Sequence, residues 1–199
     1  MLILNCFKEK IMNKVFVCAG MDLARNENIN IQARELGKIL AQNKSITYVQ
    51  GGSDKGLMGE TLKEFLKYSS NVEFFIPDTY YDYDAPALVE LVGKDNFKAY
   101  KTHGESGRLM AIKSCDHIIV LPGGTGTLEE LLYCNETLRA GEHTNNLTII
   151  NVDGYFNGII EQLKTNIEQG LSKPSAIKFT IVDNVNQLSI ATKESEHTL

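Results

Sequence analysis

The residues best suited to chemistry lie in one run, residues 121–130 (LPGGTGTLEE), where an apolar segment ends in Pro-Gly-Gly-Thr-Gly-Thr and an amphipathic segment begins at once. Gly123, Gly124 and Gly126 permit a sharp turn and close backbone approach to a ligand. A helix that opens there directs its first amides and the positive end of its dipole at the turn, which suits a phosphate. Thr127 followed by Glu130 also has the spacing of a capping box, in which threonine caps the helix and glutamate reaches back. Both residues therefore have a structural reading beside a chemical one. A second glycine-rich run, residues 51–59 (GGSDKGLMG), contributes Gly51, Gly52, Met58 and Gly59 to the candidate phosphate and substrate contacts. Neither run matches GxGxxG or GxxxxGK[ST], so a dinucleotide or triphosphate fingerprint is absent.

These loops need elements to hold them. Short apolar, β-branched runs alternate with amphipathic stretches, the signature of βαβ units around a parallel sheet. Strands are expected at residues 14–19, 46–50, 72–76, 97–102, 117–121, 147–152 and 179–182. Helices are expected at 27–43, 57–68, from 105 onward, 127–140 and 155–169. Ile29, Ala33, Leu36 and Leu40 share one helical face, which must pack on the sheet. Both glycine runs fall where a strand passes into a helix, and in open α/β sheets such junctions line the ligand crevice. Residues 78–86 (DTYYDYDAP) read as a loop whose Tyr80, Tyr81 and Tyr83 suit a lid, a dimer contact or a partly buried surface cluster.

Composition narrows the function classes. The chain has 199 residues, 43% of them hydrophobic, enough for a core without staples, and its four cysteines show no CxxC or zinc spacing. Acidic residues outnumber basic ones 25 to 20, for a net charge of −5, and no basic run tracks a phosphate backbone, so a polynucleotide partner is not expected. No apolar run approaches the roughly 20 residues of a membrane span. The expectation is a cytoplasmic protein without a membrane partner, with one domain over residues 12–190, a short extension at 1–11 and a tail at 191–199. His103, His117, His143 and His197 lack metal-ligand spacing, so no metal or cofactor is expected; His117, opening the most apolar strand, reads as structural.

PGGTGTLEE fits the pattern PGGxGTxxE, and GGSDKGLMG resembles a companion motif, GGGxxGLMG. The chain on these grounds resembles the LOG (Lonely Guy) family, formerly called lysine decarboxylases, from about residue 14 to 182. The resemblance implies an α/β, Rossmann-like open parallel sheet with helices on both faces, a homodimer, and hydrolysis of a nucleoside 5′-monophosphate, cytokinin riboside 5′-monophosphates among them, to free base and ribose 5-phosphate. It places the phosphate loop on Gly123, Gly124, Gly126 and Thr127 and the catalytic glutamate on Glu130. The family's Arg-Lys pair falls on Gly107 and Arg108, so the usual arginine position is glycine, and Arg108 either does the catalytic arginine's work from the neighbouring position or substitutes only for the lysine, which would keep a phosphate contact and weaken catalysis. That departure leaves a second reading, a nucleotide-binding or sensing protein that has lost turnover. The family's serine-rich loop after the first strand also reads differently here, as Cys18, Ala19, Gly20 and Met21.

Overall fold

Runs such as VFVC and HIIV are short, branched and apolar on both faces, and such runs are stable only as strands covered on both sides. The computed structural model describes residues 13–189; the expected extension (1–11) and tail (191–199) lie outside them. Among these described residues seven strands form one sheet: β1 (Asn13–Cys18), β2 (Ile46–Gln50), β3 (Val72–Pro77), β4 (Ala99–Thr102), β5 (His117–Val120), β6 (Asn146–Ile150) and β7 (Thr180–Val182). Their order is β4-β3-β2-β1-β5-β6-β7, and every neighbouring pair is parallel.

The α-helices that connect these strands are α1 (Glu27–Gln42), α2 (Gly56–Leu66), α3 (Asp78–Val92), α4 (Gly104–Ile112), α5 (Thr125–Arg139) and α6 (Asn157–Glu168). The period-two alternation of β1 sorts the core into two layers. Val15 and Val17 face α1 and α2, where Ala33, Leu36, Leu40, Leu62 and Phe65 are buried. Phe16 and Cys18 face the opposite side, against Leu109 and Ile112 of α4 and Leu131 and Cys134 of α5. Helices thus cover both faces, as expected. Among the described residues no helix is long and apolar enough to cross a membrane.

The segment read as a loop, residues 78–86, is instead the first half of α3. Pro77 closes β3, and Asp78 stands in the first turn, where its carboxylate favours the helix dipole and accepts a hydrogen bond from the Gly104 amide at 3.1 Å. Pro86 withholds a donor inside the helix, an intrinsic cost. Burial of Ala85, Leu88 and Val92 on the sheet offsets it. Gly93, at φ 80°, ends the helix.

His117 is buried at the start of β5, and its Nε2 lies 2.9 Å from the Thr148 hydroxyl of β6. The structural reading of this residue holds. Burial disfavours the imidazolium and lowers its pKa from 6.5 to about 4. Between those values the unfolded chain binds a proton that the folded one refuses, so this stability is present above pH 6.5 and is lost as pH falls toward 4. His117→Asn is expected to flatten the decline in melting temperature over that interval, measured by thermal denaturation from pH 7 to 4; an unchanged slope would refute the assignment.

Candidate active site

The sheet order reverses between β1 and β5, because the chain leaves β1 toward β2 and later returns to β1's other edge as β5. At that switch point, outside the carboxyl ends of the strands, ligands of open α/β sheets bind. A cleft of about 1180 Å³ opens there, lined by segments following β1, β2, β3, β4, β5 and β6.

The amino ends of α1, α2 and α5 approach the cleft, each with amides that its own helix cannot satisfy. Protein groups engage two of them. Asn26 caps α1, its side chain accepting from the Asn28 amide at 3.0 Å, and the Asp153 carboxylate binds the side-chain amides of Asn26 and Asn28 at 2.8 and 2.9 Å. At α2 the Met58 amide donates to the Gly20 carbonyl at 3.2 Å. At α5 the capping position is Gly124, which has no side chain to offer, and Gly123 through Thr127 border open cleft. The Tyr155 hydroxyl donates to the Gly123 carbonyl at 2.6 Å and ties this loop to the segment after β6. With glycines, unsatisfied amides, the helix dipole and no side-chain cap together, the start of α5 has the chemistry that suits an anion.

Because α5 begins at Thr125, two residues earlier than its polar pattern suggests, Thr127 is inside the helix and cannot be its cap. The capping-box reading of Glu130 therefore fails. Glu130 is 5% exposed and lines the cleft. Nη2 of Arg108, from α4, lies 3.4 Å from its Oε1 and 2.7 Å from Oε2 of Glu105. Gly51 makes room for this arginine: a Cβ there would stand 2.9 Å from Nη1 and 3.3 Å from Cδ. Burial raises the Glu130 pKa above its ordinary 4.5; Arg108 and the Cys18 thiol oppose the shift, and Glu105 and Glu129 add to it. Gly107 faces away from the cleft, where a Cβ would meet that of Thr102 on β4 at 3.2 Å.

The family model described as "possible lysine decarboxylase" matches residues 84–192. A probable cytokinin riboside 5′-monophosphate phosphoribohydrolase of Oryza sativa subsp. japonica is 34% identical over 163 residues, covering 82% of this chain and 64% of that protein. A cytokinin riboside 5′-monophosphate phosphoribohydrolase of Arabidopsis thaliana is 31% identical over 168 residues, 84% of this chain and 76% of its relative. The chain belongs to the LOG family. It spans slightly less than two-thirds of two of the rice relatives, 64% and 63%. Solved structures share the fold: the Moco carrier protein of Chlamydomonas reinhardtii, with TM-score 0.60 and 17% identity, covers 92% of this chain and 94% of its own. A structural-genomics target has TM-score 0.63 and 19% identity, with 88% and 95% covered.

Of the residues that the LOG motifs single out, the cleft brings together Gly51, Gly52, Met58, Arg108, Gly123, Gly124, Gly126, Thr127 and Glu130. Gly59 stands apart, packed so closely on the Asp54 carbonyl that a Cβ would come within 2.1 Å of its oxygen. The cleft also holds Asn26, Asp153 and Tyr155, which belong to no motif. Their one sequence signal is position, since Asp153 and Tyr155 follow a strand at the same end of the sheet. Removing the Tyr155 hydroxyl takes away a bond worth about 1 kcal/mol and frees the loop. Tyr155→Phe is expected to weaken ribose 5-phosphate binding several-fold while hardly altering the melting temperature, as calorimetry and thermal denaturation would show; unchanged affinity would count against the anion site.

Proposed function

We propose that this LOG protein hydrolyses the N-glycosidic bond of a nucleoside 5′-monophosphate, releasing free base and ribose 5-phosphate. The observation that carries the reading is the buried Glu130–Arg108 pair beside an uncapped helix amino end. The phosphate docks on the α5 amides, and the ribose then lies over Glu130. As the bond from C1′ to the base breaks, its electrons leave with the base and positive charge grows on the ribose. The ionised Glu130 stabilises that charge and accepts a proton from the attacking water, whose oxygen bonds to C1′. The departing base takes up a proton, which balances the reaction.

Apolar side chains give the base its surroundings. Ile29, Leu57 and Met58 line the cleft together with the exposed Met21 and Leu23. This lining suits a purine, including one with an apolar substituent such as the cytokinin ribosides named for the plant relatives. Exposed Met110 and Leu132, on the contacting helices α4 and α5, support a homodimer.

Glu130→Gln tests the reading. It is expected to lower kcat at least about 100-fold on the best of a panel of nucleoside monophosphates, measured by release of free base. Because burial raises the Glu130 pKa, folding favours its protonated form, and stability falls as pH rises above 4.5. The neutral variant is therefore expected to melt higher than the wild type at pH 7, and the difference to fade toward pH 4.5. Tight nucleotide binding by the wild type with no turnover across the panel would overturn the assignment.

A further inference from the structure

Arg108 does not divide itself evenly between its two carboxylates. Its Nη2 is 2.7 Å from Glu105 and 3.4 Å from Glu130, and its Nε is buried without a partner. Glu105 and Arg108 are three residues apart on α4, so they share a helix face, and both line the cleft. Glu130 approaches from α5, on the other side of the guanidinium. A carboxylate that takes up a proton from water cannot have its lone pairs held in a close ion pair, which would reduce its basicity. We infer that Glu105 is a positioning residue: it draws the Arg108 guanidinium toward itself and leaves the Glu130 carboxylate free to act on the ribose and water. This inference rests on the hydrolytic reading of the same site.

The surroundings of Glu130 identify what would change without Glu105. From α4 it faces Arg108 and Glu105, from β1 the Cys18 thiol, and on its own helix Glu129 and Cys134. The two thiols are held protonated by burial, so Arg108 and the two other glutamates are the charges in play. Without the Glu105 charge, the guanidinium's nearest remaining acceptor is Glu130. Both the missing negative charge and the closer arginine make Glu130 more acidic and less basic. The phosphate site at α5 is unaffected, so binding and turnover separate.

The variants are Glu105→Gln, which keeps the shape and removes the charge, and Glu105→Asp, which restores the charge at shorter reach. In Glu105→Gln, kcat on the best nucleoside monophosphate is expected to fall at least about tenfold with KM within about threefold. The acid limb of its pH profile should move to lower pH, and Glu105→Asp should recover most of both effects. Independently of turnover, the Glu130 side-chain carbon is followed by NMR in protein labelled with ¹³C-glutamate, its signal assigned by its loss in Glu130→Gln. Its titration midpoint is expected to drop in Glu105→Gln. An unchanged midpoint and pH profile would overturn the inference, whatever the effect on kcat. A lowered midpoint in a protein whose wild type cleaves no nucleotide would uphold the positioning and reject the hydrolytic reading.

Discussion

The arrangement depends on one unfavourable act, the burial of an ionisable carboxylate, Glu130, in a core layer otherwise built from Phe16, Val120, Leu131 and Cys134. A lone charge there would be expelled or neutralised. The fold keeps it by bringing a guanidinium from another helix to 3.4 Å. The surrounding geometry serves that approach: α4 crosses from β4 to β5, Gly51 vacates the volume through which Arg108 passes, and the Cys18 thiol lies beneath the carboxylate. Even so, burial outweighs the arginine, and the pKa stays raised. The site thus lowers the stability of the charged form, as expected where a carboxylate must remain reactive rather than fully paired.

A second constraint is where the sheet reverses direction. Parallel strands that turn outward on both sides of the β1–β5 boundary collect helix amino ends in one place, and every such end attracts an anion. A cleft with several equal anion sites would hold a phosphomonoester in several registers. Here Asn26 with Asp153 engages the end of α1, and Gly20 engages that of α2, whereas the glycine cap leaves α5 open. Of the three helix ends that converge here, the fold thus fills two with its own groups and leaves one open. Asp153 adopts φ 50°, unusual for a residue with a side chain, at the place where it makes that closure.

How much of this was legible in the sequence depends on the kind of signal each part leaves. The strands were, because a run such as HIIV between Asp116 and Pro122 has few other stable fates, and their parallel arrangement followed from the helices between them. The first half of α3 was not: Pro77, Pro86 and three tyrosines mark a loop locally, and only burial of Ala85, Leu88 and Val92 on the sheet makes it helical. The start of α5 was misplaced for a related reason, since a glycine cap leaves no side-chain signature and Thr127 looks the better cap. Glu130, Arg108 and the glycines were legible through their motifs. Asp153 and Tyr155 were not, because a residue whose partners lie 32 positions away, as for Tyr155, or 127 and 125, as for Asp153, carries no local mark of them.

The arginine position sharpens the difference between a motif and a face. Counting along the chain sets Gly107 against the family's arginine and suggests a damaged site. Helix geometry sets 107 and 108 about 100° apart, so only one of them can look into the cleft. In this chain that one is 108, while 107 lies against Thr102 and has little room for a side chain. An arginine is therefore present at the cleft-facing position, delivered by the neighbouring residue number, and it meets Glu105 one helical turn earlier. The cation is thus placed by the helix face and not by the residue number, with the Glu105 carboxylate 2.7 Å from it on the same face and Glu130 3.4 Å away on the other helix.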